Sequence, residues 1–150
     1  MGYRPEGYHS ITPQITVKDG AAAIDLYKRA LGAVETGRFQ MPGSTKIMHA
    51  SVRVGDSTIF LNDEMPQMGQ VAPKDGSGTR FYLYVEDVDA QHKKALAAGM
   101  AERSAPSDMF WGDRTSVLAD GFGNSWTLAT HKRDVPPEEM AKALAAMGQK

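Results

Sequence analysis

Four groups of side chains in this sequence could do chemistry. His49 alternates with Ser51 and Arg53 along an apolar strand pattern, which puts an imidazole, a hydroxyl and a guanidinium on one face, a trio suited to anion binding or proton transfer. The plainer alternative for His49 is a strand histidine that faces solvent. Asn62, Asp63 and Glu64 follow one another at the end of the same hairpin, where carboxylates could bind a cation or act as a base, Glu64 being the candidate base beside His49. Trp111, Gly112, Asp113 and Arg114 place a rigid aromatic, a flexible backbone position and opposite charges within four residues. Such a loop could clamp a planar or anionic ligand through Trp111 and Arg114, or simply close an Asp–Arg pair beside a packed tryptophan. Finally, Arg80, Tyr82 and Tyr84 alternate with Phe81, Leu83 and Val85, as Gln14 alternates with Ile15 and Val17. Tyrosine and arginine carry apolar bodies with polar tips, so this face suits the wall of a ligand pocket, although a solvated sheet face would look the same.

Other chemistries are absent. There is no cysteine, which removes disulfides, thiolate metal sites and a thiol nucleophile. His9, His92 and His131 share no metal-ligand spacing with another histidine, and no glycine-rich phosphate loop or nucleophile elbow occurs. With 17 basic and 18 acidic residues the chain has no long-range field to draw in nucleic acid or an anionic membrane. A small organic ligand is the expected partner. No secretory signal and no long apolar run is visible, so a cytoplasmic location is expected.

The elements that must position these groups form an internal repeat. Gln14 to Asp19 with an alanine-rich run to Gly32 recurs as Tyr82 to Asp87 with a similar run to Gly99. In each copy a short strand ends at an aspartate placed to cap a helix, and a glycine follows the last helical turn. Each helix leads to a hairpin, turning at Gly55-Asp56 in one copy and between Asp120 and Asn124 in the other. The modules span about 10–65 and 78–131, joined by a proline- and glycine-bearing linker at 66–77. Trp126 alternates with Ser125 and Thr127 and reads as core. Beyond Pro136-Pro137, Met140, Leu144 and Met147 lie on one face of a short helix over about 136–148, suited to docking on its own domain or on a second subunit. The nine methionines include Met41, Met65 and Met68 near predicted loops, where they could line an adaptable mouth or fill gaps.

Ile11 to Ala33 resembles the opening of glyoxalase/bleomycin resistance/dioxygenase proteins, the vicinal oxygen chelate superfamily. Met48 to Asp56, Tyr84 to Asp89, Trp111 to Arg114 and Asp120 to His131 agree with it, and the nearest likeness is to the PhnB-like glyoxalase branch. The resemblance covers roughly residues 9–140. It implies an α+β fold in which two βαβββ modules form a cupped mixed sheet, followed here by a C-terminal helix, in one domain that usually pairs as a homodimer. Metal-using members hold a divalent ion with histidine, glutamate or glutamine from cleft-facing strands. On this chain the corresponding positions fall at Thr12, near Phe60 (or Asn62), at Arg80 and at Thr127, which are poor ligands. No metal or other cofactor is therefore expected, and the ligand contacts are expected from Gln14, Arg80, Tyr82, Tyr84, Trp111 and Arg114. Two functions follow from the resemblance: a metal-free binder of a small molecule, or a lyase, isomerase or dioxygenase working through a noncanonical ion or a bare acid/base such as His49 or Glu64.

Overall fold

Two aspartates and two glycines set the limits of the main helices in the computed structural model, which describes residues 2–148. Asp19 accepts a hydrogen bond from the Ala22 amide and starts α1 (Gly20–Leu31); Asp87 accepts from the Ala90 amide and starts α2 (Val88–Ala98). Both helices stop at glycines in the left-handed conformation, Gly32 and Gly99.

Before α1 lies β1 (Gln14–Val17), and after it come β2 (Val34–Gln40), β3 (Ile47–Val54) and β4 (Ser57–Asp63). A single 3-10 turn (Pro66–Met68) interrupts the linker. The second copy contains β5 (Arg80–Tyr84), then α2, then β6 (Ala101–Asp108), β7 (Asp113–Ala119) and β8 (Ser125–His131). Both sheets have the same mixed order, β1-β4-β3-β2 and β5-β8-β7-β6, with the first pair of each parallel. This is the expected α+β architecture of two βαβββ units.

Where the helix N-terminus meets the last strand, the copies solve one problem with different side chains. The first amide of α1, at Gly20, donates to the Asp63 carboxylate (2.6 Å), which also accepts from the Ile47 amide (2.7 Å). The first amide of α2, at Val88, donates to the Thr130 hydroxyl (3.0 Å), which in turn donates to the Val85 carbonyl (2.9 Å). Either way, a helix amide with no intrahelical partner is satisfied next to the core. Asp63 is thereby fixed as a structural carboxylate.

One continuous core joins the modules. Ile15, Val17, Ile24, Tyr27, Leu61 and Val52 from the first copy cluster with Val88, Leu118, Trp126 and Leu128 from the second, with α1 packed on α2. Trp126, 2 % exposed, sits in this core with its ring against Phe81 and Tyr27, as its alternation predicted. Helices cover one face of each sheet, leaving the other for the side chains of opposite parity.

Two expectations change. The strand pattern from Ile11 becomes regular only at Gln14, because Pro13 has no amide to donate and Ile11 is left exposed. The C-terminal helix, α3 (Pro137–Met147), forms as expected but docks on no other helix or strand among the described residues. Leu144 and Met147 are more than half exposed, and the Arg133–Glu139 ion pair is a tie at its base. No described helix is long and apolar enough to cross a membrane.

Candidate functional site

The uncovered faces of the two sheets carry the polar and aromatic side chains of the alternating strands, and they differ in chemistry. On the first sheet, Phe60 of β4 forms a floor, with the His49 ring edge-on to it at 4.6 Å. Ser51 lies beside His49, its hydroxyl 3.5 Å from Nε2, at the long limit of a hydrogen bond. The segment preceding β1 crosses above: Tyr8 approaches the Phe60 ring at 6.0 Å, and Tyr8, His9 and Thr12 enclose a hollow of about 520 Å³ with His49, Ser51 and Phe60. His9 and Thr12 also border a second hollow of about 270 Å³, between the modules, whose far wall includes Phe81, Tyr82 and Leu83. The two hollows share His9 and Thr12 in their linings.

On the second sheet the centre is a buried carboxylate. Asp113, at the start of β7, accepts hydrogen bonds from the hydroxyls of Tyr82 (2.7 Å) and Tyr84 (3.1 Å) and pairs with His131 Nδ1 (2.7 Å). Tyr82 in turn accepts from Trp111 Nε1 (3.1 Å), and Asp134 meets His131 Nε2 (2.9 Å). Burial raises the Asp113 carboxyl, but the hydrogen bonds from Tyr82, His131 and Tyr84 outweigh it and hold the group below the usual carboxylate range. The hydrogen bonds to Asp113 and Asp134 hold the His131 imidazole above its ordinary value. Tyr82 is pushed up to about 12 by burial and by its bond to Asp113, and Tyr84 is raised by the same carboxylate.

These shifts set the sign of a pH dependence. The depressed Asp113 contributes stability above the ordinary carboxylate pKa and loses it as pH falls through its lower folded value; the raised His131 contributes below about pH 6.5 and loses it as pH rises through its higher folded value. The urea midpoint of the wild type should thus exceed that of His131→Gln most between about pH 5 and 6.5, with the gap narrowing on both sides. A gap that stays constant from acid to alkaline pH contradicts the network.

The residues singled out from the sequence are distributed as follows. Tyr82, Tyr84 and Trp111 come together around Asp113, and Tyr82 also faces the inter-module hollow. Gln14 lies on the uncovered face, but its amide donates to Asn62 (3.1 Å), a fully buried side chain that also donates to Thr16 and to Gln70 of the linker. Arg80 borders a different hollow, of about 430 Å³, with Arg103, Ser125 and the linker residues Asp75 to Ser77. Arg114 is on the helix side of its sheet, held bidentately by Asp89 of α2 (2.8 and 3.0 Å) and by Asp108 (3.2 Å). Neighbouring strand residues point to opposite faces, so Asp113 and Arg114 could not share one clamp. The Glu64 carboxylate accepts from the Ala72 amide (2.9 Å) and pins the linker, apart from His49. Of the four positions where metal-using proteins of this fold carry ligands, Thr12 and Phe60 border the large hollow, Arg80 the separate one, and Thr127 pairs in register with Tyr82 and Val117. Among the described residues, no three histidine, aspartate or glutamate side chains gather as a metal-holding group.

Sequence reasoning missed the strap before β1, since Tyr8 and His9 belong to no periodic pattern. It also missed Asp113 and His131 as partners. The available signal is that Asp113 and Arg114 are neighbours at the start of a strand and so must face opposite sides of it.

Two repeated βαβββ units, each a four-stranded mixed sheet, define a paired-module α+β fold. The glyoxalase/bleomycin resistance protein/dioxygenase superfamily model matches residues 8–128, and the chain belongs to that superfamily. An uncharacterized protein of Mycobacterium bovis is 40% identical over 144 residues, covering 93% of this chain and 94% of its own length. Among solved structures, TioX from Micromonospora sp. ML1 aligns with a TM-score of 0.63 at 23% identity, over 82% of this chain and 98% of its own. The fosfomycin resistance protein FosX from Mesorhizobium loti aligns with a TM-score of 0.61 at 13% identity, over 83% and 92%. At these identities the structural likenesses speak to the fold.

Proposed function

We propose that this chain is a metal-independent small-molecule-binding protein of the superfamily's PhnB-like branch, acting in the cytoplasm as a homodimer and holding an organic ligand against its uncovered sheet faces. The observation that carries this reading is the larger hollow over the uncovered face of the first sheet, bordered by Tyr8, Thr12, His49, Ser51 and Phe60. Concave, largely apolar sites with a few polar groups are how proteins hold small ligands. A divalent ion does not fit the donors at the family's ligand positions: two neutral hydroxyls, a phenyl ring and a guanidinium. The exposed apolar stripe of α3 supports a second subunit as its cover.

A panel of small organic compounds screened by thermal denaturation in EDTA tests the reading. A true ligand at about 100 times its Kd should add roughly 2.7 kcal/mol, which for a domain of this size raises Tm by several degrees. Phe60→Ala should remove that rise. Stabilisation that appears only after zinc, nickel, manganese or iron is added overturns metal independence.

A second reading, that of a lyase, isomerase or dioxygenase, is favoured by one observation: the His49 imidazole lines the larger hollow, with the Ser51 hydroxyl 3.5 Å from Nε2. Under that reading His49→Ala abolishes turnover of a bound compound while leaving its binding intact.

A further inference from the structure

We infer that the hollow on the first module selects a planar aromatic anion, packed beside Phe60 and Tyr8 and neutralised by Arg4 of the strap before β1. This rests on the ligand-binding reading above and names the class of ligand.

The charge pattern is one-sided. The hollow is bordered by Arg4, His9 and His49, and among the described residues no carboxylate lines it. Arg4 makes no ion pair among the described residues; one of its terminal nitrogens donates to Ser10 Oγ (3.2 Å) and to Tyr3 Oη (3.4 Å). A guanidinium has five N–H donors in a planar fork and no acceptor, so its remaining donors suit the two oxygens of a carboxylate or a related oxyanion. The other arginines that structure this protein, such as Arg29, Arg38, Arg114 and Arg133, already have carboxylate partners. Arg80 and Arg103 likewise make no ion pair among the described residues, but the hollow they border is also lined by Asp75, whereas no described carboxylate lines the one at Arg4.

The shape is planar. Phe60 supplies the floor, the His49 ring stands edge-on beside it, and Tyr8 tilts over it at 51° with ring centroids 6.0 Å apart. A flat ring system sliding in beside Phe60 gains offset or edge-to-face contacts with all three. The volume of about 520 Å³ falls in the range of small-ligand sites and exceeds what a bare inorganic anion fills. Ser51 and the imidazoles of His9 and His49 can donate to the anion or to a ring substituent. The second sheet has the opposite character, because both tyrosine hydroxyls spend their protons on Asp113 and present only lone pairs outward. The anion-binding end of the cleft is therefore the one under the strap.

The strap follows the ligand. Residues 5–13 contain no helix or strand; the Tyr8 amide donates to the Pro5 carbonyl (3.3 Å), and the Pro13 carbonyl accepts from the Phe60 amide (2.8 Å) where the segment joins β1. Contact between Arg4 or Tyr8 and the ligand must therefore draw the segment down on the sheet.

Isothermal titration calorimetry of the intact protein in EDTA with 1-naphthoate, 1-naphthamide and 1-naphthylmethylammonium tests this. The carboxylate should bind at least about tenfold tighter than the amide, and the ammonium more weakly than either, a tenfold step being about 1.4 kcal/mol. Arg4→Gln should bring naphthoate and naphthamide within about threefold of each other while leaving naphthamide affinity unchanged. Phe60→Ala, checked for folding by circular dichroism, should weaken naphthoate and naphthamide together. Amide hydrogen exchange at residues 6–12 should slow when naphthoate is present. Equal affinity for carboxylate and amide, or a ratio untouched by Arg4→Gln, overturns anion selection while leaving ligand binding intact. Failure of all three probes to bind at millimolar concentration overturns the inference by itself, since the broader reading is judged by the compound screen.

Discussion

Replacing Asp120 with alanine is expected to cost about 4 kcal/mol, close to what is lost when one partner of a buried charged network is removed. The carboxylate is 3 % exposed and serves four donors. One oxygen accepts from the Tyr27 hydroxyl (2.6 Å) and Trp126 Nε1 (3.1 Å), the other from the amides of Phe122 (2.7 Å) and Asn124 (3.1 Å). Removing it strands all four away from water, at about 1–3 kcal/mol for a group left without a partner. The site also ties α1 of the first module to the β7–β8 turn of the second, so the damage falls where the halves join. Burial, and then the neighbouring carboxylate, push the Tyr27 phenol well above its ordinary pKa. Tyr27→Phe, which removes a single donor, should cost nearer about 1 kcal/mol. Urea denaturation followed by far-ultraviolet circular dichroism measures both. A loss below about 1 kcal/mol in Asp120→Ala shows that the network does not hold the modules together.

The second large effect is expected at Gly112. Its φ is +101°, a conformation that side chains with a β-carbon avoid, and an added β-carbon there would collide with the Arg133 carbonyl oxygen and press on Val135. The backbone around it is committed: the Gly112 amide donates to the Met109 carbonyl, and its own carbonyl accepts from the amides of Lys132 and Arg133. Gly112→Ala must shift this crossing, with a cost of about 3 kcal/mol from strain and overlap together. The flanking residues are Trp111 and Asp113, so the damage reaches the tyrosine network. In an NMR spectrum the Trp111 indole N–H should move toward the position of a free indole while that of the buried Trp126 stays in place. Gly37→Ala is the control, since no heavy atom lies within 4 Å of its added β-carbon and its φ is not positive; it should change stability by less than about 0.5 kcal/mol. If Gly112→Ala and Gly37→Ala behave alike, the crossing yields to an added β-carbon and carries no such strain.

Much of the framework was legible because it depends on local rules. An aspartate before an apolar run and a glycine after it act within one turn of chain, which is why Asp19, Gly32, Asp87 and Gly99 mark the helix ends without knowledge of the rest. Period-two alternation likewise placed Tyr82 and Tyr84 opposite Phe81 and Leu83. The site was less legible, because its partners are distant in sequence. Asp113 is 31 residues from Tyr82 and 18 from His131, and only strand register brings them together. The run from Trp111 to Arg114 suggested a clamp through Trp111 and Arg114 or an Asp–Arg pair, whereas the pleat sends Arg114 to Asp89 on the helix side. Glu64 has a base's chemistry in isolation, yet the linker amide at Ala72 occupies its carboxylate.

The amino-acid sequence alone determined the repeated βαβββ plan and which strand residues share a face, because caps and pleat period are encoded in neighbouring residues. Tertiary structure decided which carboxylates became structural (Asp63, Asp120) and which became the centre of a polar cluster (Asp113). It also decided that a non-periodic strap with Arg4 and Tyr8 roofs the first sheet. Those outcomes depend on which donors lie across a sheet or across the module junction, and contacts between residues dozens of positions apart are fixed by packing, not by local preference.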